Sequence, residues 1–378
     1  MSSVTETLSE RAADLPERED YEVLLCADTP LLDVRAPVEF SQGAFPGSIN
    51  LPLLEDDERH QIGIRYKDEG HESAVALGAQ LISGEIKSSR VDQWAAHIEQ
   101  HPDTVLYCFR GGMRSKITQQ WIYEQTGKVI PRVKGGYKAL RRFLIDQTET
   151  LSAQTEPLIL SGRTGSGKTL LLKELSNMID LEGLANHRGS SIGRQLSPQP
   201  TQIEFENRVA IALLKLHRQG VRQIVLEDES PNIGSVHIPH ALYEKMLVAP
   251  CVVLEATIEQ RLDITLAEYV SNMLPRYVEQ QGDVAAGFAA LSEYLRNSLS
   301  RVQRRLGGER YAEILETMDV ALDEQARSGD EQGHRQWLQR MLVEYYDPMY
   351  DYQRDKRQRM VKKSGNFSEI LDYLADFH

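Results

Sequence analysis

Short apolar runs alternate with segments of helical period along the first 145 residues of this chain. Leu31-Leu32-Asp33-Val34 reads as a strand, Ser48-Ile49-Asn50-Leu51 as a short extended piece, and Val105-Leu106-Tyr107 as a buried strand. Apolar residues recur at helical spacing over 72–82, 92–100 and 115–125. The pattern predicts an α/β domain over residues 12–146. Residues 147–157 are polar, aperiodic and end in Pro157, and are expected to form a linker. A second domain, 158–378, opens with the strand Leu158-Ile159-Leu160, a Gly-rich loop and a helix from Thr169 to about Ile179. Ile224-Val225-Leu226 and Cys251-Val252-Val253-Leu254 read as further buried strands of a parallel sheet. Beyond about residue 256 the pattern is helical, so the expected fold is α/β with a helical C-terminal extension.

Composition changes this picture little. The 378 residues are 41% hydrophobic and 26% charged, ordinary for a soluble globular protein of two domains. No run of 18 apolar residues suggests a membrane span, and the polar first twenty residues lack a secretory h-region. Three scattered cysteines do not make a disulfide framework, and a reducing cytoplasm is expected. Cys26 and Cys251 have no glycine-rich or basic neighbours and read as packing residues.

The net charge of −13 argues mildly against nucleic acid as a partner. Three basic islands point the other way: Arg132, Lys134, Lys138, Arg141, Arg142; Arg301, Arg304, Arg305, Arg310; and Arg354, Lys356, Arg357, Arg359, Lys362, Lys363. Each reads either as a polyanion-binding face or as the solvated face of a helix.

Gly162-Arg163-Thr164-Gly165-Ser166-Gly167-Lys168-Thr169 matches G-x-x-x-x-G-K-[ST] in full, between an expected strand and an expected helix. Glycines let backbone N–H groups wrap a diphosphate, Lys168 reaches its terminal oxygens, and Thr169 is a Mg²⁺ ligand. Ile224 to Ser230 supplies an apolar strand ending in acids, which hold the cation or cap the next turn. Asp228 is the first choice for the metal and Glu229 the second. In the loop 186–193, Arg188, Ser190 and Ser191 contact a phosphate or lie on a plain surface loop. The cradle alone does not prove nucleotide hydrolysis, because it binds any diphosphate.

A second cradle precedes it. Cys108-Phe109-Arg110-Gly111-Gly112-Met113-Arg114-Ser115 places a cysteine after a strand, in a glycine-rich turn before a helix. Loop amides and the helix N-terminus there stabilise negative charge. Phosphatases and sulfurtransferases both use such a loop. Asp33-Val34-Arg35 with Glu39-Phe40, Pro46 to Pro52, the Cys108 loop and Gly135-Gly136-Tyr137 resemble the rhodanese domain over roughly residues 15–145. Five residues separate Cys108 from Arg114, where most single-domain rhodaneses have four. The larger loop suits a donor with tetrahedral phosphorus.

A rhodanese-like domain followed by a P-loop domain resembles the bacterial tRNA 2-selenouridine synthases. Gly70 to Gly78, Asn186 to Ser190, Glu227 to Ser230 and Tyr345 to Tyr350 are also similar to that family. The resemblance implies a cytoplasmic enzyme acting on tRNA with 2-thiouridine at the wobble position. It implies S-geranylation with geranyl diphosphate, then replacement of the geranylthio group by selenium from selenophosphate. By the same resemblance the residues 162–169 and Arg188 would hold the diphosphate, with Thr169 and Asp228 on Mg²⁺. Cys108 would serve the selenation step alone, with Arg110, Gly111, Gly112 and Arg114 on selenophosphate, and a selenophosphate-supplying enzyme would be a partner. The run Tyr345 to Tyr352 either stacks on RNA or packs between helices. Alternatives are a sulfurtransferase coupled to an NTPase, a phosphatase–kinase fusion, in which Tyr107 stands where His is usual, and a non-catalytic rhodanese-like module.

Overall fold

The computed structural model describes residues 15–190 and 192–376. Residues 12–14 of the expected first domain, and Ser191, lie outside them. The chain divides into two compact units.

The first unit is built on five parallel strands: β1 (Glu17–Arg18), β2 (Leu31–Asp33), β3 (Ile49–Asn50), β4 (Val105–Tyr107) and β5 (Arg132–Val133). Their order is β1-β5-β4-β2-β3. β2 and β4 are buried along their whole length, as expected of central strands covered on both faces. Leu32, Leu106, Trp94 and Ile122 join sheet and helices in one core. Cys108 leaves the C-terminal end of β4, where parallel α/β sheets place their ligands.

This unit also takes in residues 201–215, from the middle of the expected second domain. They belong to the helix Gln202–Arg218. Asn207 donates to the Ala44 carbonyl at 2.9 Å and accepts from Arg141 at 2.8 Å, and Lys215 pairs with Asp28 at 2.6 Å. A Cβ on Gly43 would lie 2.6 Å from Ile203, so the glycine makes room for that helix.

The division between the units, after Thr150, falls within the expected linker 147–157, but this segment is not irregular. The helix Gly136–Gln154 runs through most of it, and β6 (Glu156–Ser161) starts one residue beyond Thr155. Leu140, Leu144 and Leu151 continue one buried stripe, and packing of that stripe outweighs the polar composition.

The second unit has a parallel sheet of β6, β7 (Met178–Ile179), β8 (Gln223–Glu227), β11 (Cys251–Leu254) and β12 (Val361–Gly365), ordered β12-β11-β6-β8-β7. A small antiparallel ribbon joins β9 (Asn232–Ile233) to β10 (Val236–His237). The helix after the Gly-rich loop is shorter than expected: it spans Lys168–Leu172, and Met178 and Ile179 leave it to become edge strand β7. Edge strand β12, Val-Lys-Lys-Ser-Gly, was hidden by its polarity. It pairs through backbone groups and leaves Lys362 and Lys363 exposed, as edge strands commonly do. Apart from β12, the regular structure after residue 256 is helical, around a core that includes Leu295, Met318 and Trp337.

Candidate functional site

Glycines shape the Cys108 cradle. Gly111 has φ +64°, and a Cβ there would meet the Gly135 nitrogen at 2.8 Å. Gly136, φ +61°, lies flush against the loop: its Cβ would sit 2.3 Å from the Cys108 carbonyl oxygen. Tyr137 N–H donates to that oxygen at 2.9 Å, and Lys138 N–H donates to Phe109 O at 3.0 Å. The Gly135-Gly136-Tyr137 segment is therefore the floor of the cysteine loop. The helix Met113–Thr126 starts at its far side.

Cys108 is buried, with Sγ 3.3 Å from the Ser115 hydroxyl, which in turn donates to Gly112 O at 2.9 Å. Arg110 is exposed at the lip. Arg114, expected on the selenophosphate, is paired with Glu39 through contacts of 2.5 and 3.1 Å. Glu39 also faces Arg59 at 3.2 Å. Burial opposes the Glu39 charge, yet the Arg114 hydrogen bond and charge outweigh it and hold the carboxyl below its usual range. Asp33 and Arg35 support the loop from beneath. They form a fully buried ion pair at 2.6 Å, with the Arg35 guanidinium 3.9 Å from the Tyr137 ring centroid. Tyr107 is buried, its hydroxyl 3.2 Å from Ser48.

The P-loop leaves β6 through Gly162. A Cβ on Gly162, φ +154°, would lie 2.7 Å from Leu254 O, and one on Gly165, φ +79°, would lie 2.8 Å from Thr265. Arg261 clamps the loop from the helix Ile258–Leu266, donating to Thr164 O at 2.9 Å and pairing with Asp347 at 2.6 Å. Lys168 Nζ lies across the cradle, 2.8 Å from Gly162 O. The Ser166 hydroxyl is buried without a hydrogen-bond partner inside the loop. A cradle that only glycine fits, with an orphaned hydroxyl, suits a diphosphate. Arg163 turns away from it, to Asp347 at 3.2 Å and Asp351 at 3.1 Å.

The acid beside Thr169 is Glu227, the last residue of β8, whose Oε1 lies 3.1 Å from the Thr169 hydroxyl. Asp228, the expected metal ligand, accepts from Ser161 at 2.6 Å and is ion-paired with Arg357 and, at 3.5 Å, Arg359. Asp228 nonetheless lines the cavity at the P-loop, together with Lys168 and Thr169. Glu182 and Glu229 join Glu227 around the cavity. Burial, then mutual repulsion, pushes Glu182 and Glu227 well above the usual carboxylate range and Glu229 to about 7. Among the described residues no three acids, histidines or cysteines form a ready metal cage. Thr169 and Glu227 supply hard oxygens that fit Mg²⁺ completed by water and substrate oxygens.

The cavity at the P-loop is walled by Arg188, Ser190, Glu268, Tyr269, Tyr346 and Tyr350. Arg188 donates to Glu268 O at 2.6 Å, and Tyr269 OH lies 3.0 Å from the Ser190 hydroxyl. Two π-helical segments, Ala267–Ser271 and Met341–Tyr346, carry Tyr269 and Tyr346 to this wall. Such segments cluster at functional sites, and the apolar pattern gave no sign of them. Tyr345 and Tyr346 are buried, so helix packing claims them, while Tyr352 is exposed.

Residues 17–142 match the rhodanese-like domain, and residues 155–378 match the AAA domain of tRNA 2-selenouridine synthase. The tRNA 2-selenouridine synthase of Sulfurovum sp. is 47% identical, over 96% of this chain and 99% of that protein. Those of Marinobacter nauticus and Pseudomonas fluorescens are each 48% identical, over 96% and 94% of this chain and 98% and 97% of theirs.

Proposed function

The chain belongs to the tRNA 2-selenouridine synthase family and is an enzyme of tRNA modification, and from that premise we propose a two-step reaction at its two cradles. The substrate is tRNA carrying 2-thiouridine at the wobble position. In the first step the thiocarbonyl sulfur attacks C1 of geranyl diphosphate. A C–S bond forms, the allylic C–O bond breaks, diphosphate leaves and the ring N3 proton is lost. In the second step selenium of selenophosphate attacks C2 and geranylthiolate departs; water then cleaves the P–Se bond, phosphate leaves, and the protons released go to the geranylthiolate and to ring N3, giving 2-selenouridine. Alkylation thus turns a poor leaving group into a good one.

The P-loop residues 162–169 serve the first step. Loop amides and Lys168 take the charge that grows on the departing diphosphate, and Arg188 lies in the same wall. A Mg²⁺ ion held by Thr169 and Glu227 would neutralise part of that charge. Cys108 serves the second step, with Arg110 and the Gly111-Gly112 amides on the phosphate end of selenophosphate. Arg114, tied to Glu39, holds the loop and adds positive charge behind it. The reading includes a cytoplasmic location and an enzyme that supplies selenophosphate. No helix among the described residues is long and apolar enough to cross a membrane.

The single observation that carries the proposal is the pairing, in one chain, of a glycine-floored cysteine loop with a P-loop whose Ser166 hydroxyl is unpartnered. The test is to incubate the purified chain with 2-thiouridine tRNA, geranyl diphosphate and Mg²⁺, then add selenophosphate, and analyse the nucleosides by mass spectrometry. Geranylthiouridine followed by selenouridine is expected. NTP turnover with a persulfide on Cys108 and unchanged tRNA would support the sulfurtransferase–NTPase alternative.

A further inference from the structure

The three basic islands of the sequence have different fates. In the first, Arg132 pairs with Glu17, Lys134 with Glu19, Arg141 with Glu206 and Arg142 with Asp146. In the third, Arg354 pairs with Asp351 and Asp355, and Arg357 and Arg359 pair with Asp228. Those arginines and Lys134 are matched by carboxylates, while Lys138, Lys356, Lys362 and Lys363 stand exposed away from the P-loop cavity lining. In the second island Arg310 faces Glu344 at 4.0 Å, but neither Arg304 nor Arg305 has a carboxylate partner among the described residues.

Arg301, Arg304 and Arg305 line a cleft of the second unit together with Arg194 and His187 from the loop after β7. A backbone bridge between His187 and Arg194 sets that loop, and Tyr294 OH fixes it by donating to Ile192 O at 2.7 Å and Arg194 O at 2.9 Å. Arg305 is braced by the Tyr345 hydroxyl at 3.3 Å, and Arg301 by the Ser298 hydroxyl at 2.6 Å. His187 Nδ1 is buried without a hydrogen-bond partner. No Asp or Glu is among the residues that line the cleft, although the chain holds 56 acids. Like charges gathered in this way repel one another: burial first, then Arg194, lowers the proton affinity of Arg301, and burial, Arg194 and Arg301 do the same to His187. Ser197, Gln199 and Ser235, which suit ribose hydroxyls, share the remaining wall with apolar and tyrosine side chains such as Leu196 and Tyr345.

The cleft opens into the P-loop cavity. Gly189, Ser190, Ser230, Tyr346, Met349 and Gln353 line both. A polyanion seated on the arginines therefore ends beside the diphosphate cradle.

We propose that this arginine cleft seats the ribose–phosphate backbone flanking the nucleotide to be modified, and so delivers that nucleotide to the P-loop cavity. The assignment rests on the proposed reading of the chain as an enzyme that alkylates tRNA at its P-loop. It adds the surface that grips the RNA.

The test compares wild type with Arg304→Glu/Arg305→Glu, Arg304→Lys/Arg305→Lys and, as a control at an exposed arginine elsewhere, Arg327→Glu. Binding of 2-thiouridine tRNA is measured by fluorescence anisotropy across a salt series, and binding of geranyl diphosphate by calorimetry. The glutamate pair is expected to weaken tRNA binding by at least about tenfold and to reduce the slope of log affinity against log salt by roughly 1.5, as loss of two phosphate contacts requires. The lysine pair and Arg327→Glu stay near wild type, and geranyl diphosphate affinity is unchanged throughout. Should the double variant lose geranyl diphosphate as well, Arg304→Glu alone decides, since that side chain is exposed and has no ion pair among the described residues. Wild-type affinity and salt slope in the glutamate variants, with wild type binding and modifying tRNA, overturns the cleft and leaves the functional reading standing. A wild type that alkylates no tRNA overturns that reading and the cleft with it.

Discussion

Glu227 Oε1 lies 3.1 Å from the Thr169 hydroxyl, so the terminal residue of strand β8 stands beside the P-loop threonine, while its neighbour Asp228 lines the cavity at that loop. The two acids have separate tasks. Glu227 touches the Thr169 hydroxyl, and Asp228, at the cavity wall, ties Ser161 to Arg357 and Arg359.

Glu227→Gln should abolish the Mg²⁺ dependence of geranylation and slow it by about a hundredfold, the loss typical of one electrostatic group acting on a leaving group. Asp228→Asn should leave Mg²⁺ affinity close to wild type and cost roughly 2 kcal/mol of stability, as loss of a charged hydrogen-bond acceptor does. Metal titration and denaturant unfolding of both variants separate the two roles. Equal Mg²⁺ affinity in wild type and Glu227→Gln would assign the cation elsewhere.

The acid cluster also sets a pH dependence. Glu229 has its carboxyl raised from 4.5 to about 7, so the folded protein binds that proton more tightly than the unfolded chain. Stability of the metal-free protein should fall as pH rises from about 4.5 through 7, where the unfolded state ionises first. Mg²⁺ should flatten this fall, and its binding should release protons near pH 7. Thermal unfolding against pH, with and without Mg²⁺, measures both. A metal-free Tm that climbs between pH 5 and 7.5 contradicts the assignment.

Gly136→Ala tests the floor of the cysteine loop. Its Cβ would stand 2.3 Å from the Cys108 carbonyl oxygen and 2.4 Å from the Gly111 nitrogen, at φ +61°. The loop must shift, and displacement of a reacting group by about 1 Å costs on the order of a hundredfold in rate. Selenation should fall by that factor while geranylation persists. Parallel loss of both activities would mean that Gly136 matters to folding alone.

Glu39→Gln tests the hold on Arg114. Without the carboxylate, Arg114 loses its partner at 2.5 Å, and selenation should drop about tenfold, the effect of loosening one positioned charge. Geranylation should be unaffected. In wild type the lowered Glu39 carboxyl contributes stability that is present above its ordinary value near 4.5 and is lost as pH falls below it. Glu39→Gln should therefore unfold with a weaker acid dependence below pH 4.5, readable in the same unfolding series.

What could be read from the sequence was locally encoded. Central strands such as Val105-Leu106-Tyr107 are short apolar runs, and the two cradles announce themselves through glycines, several of them in a backbone conformation that other residues rarely adopt. What could not be read depends on distant partners. Glu39 meets Arg114 across 75 positions, and Arg261 reaches Thr164 across 97. The helix over 201–215 belongs with the first unit through Asn207 and Ile203, which carry no local sign of it. β12 was missed because an exposed edge strand needs only backbone pairing, and the contact of Glu227 with Thr169 was not legible because spacing alone does not say which acid at a strand end meets the loop. The π-helical segments leave no trace in hydrophobic period.

The most direct measurement is nucleoside mass spectrometry on 2-thiouridine tRNA treated with geranyl diphosphate, Mg²⁺ and selenophosphate, using wild type, Cys108→Ala and Lys168→Ala side by side. The two-cradle assignment requires selenouridine from wild type, accumulated geranylthiouridine from Cys108→Ala, and unchanged thiouridine from Lys168→Ala. Selenouridine from Cys108→Ala, or geranylthiouridine at wild-type yield from Lys168→Ala, would contradict it.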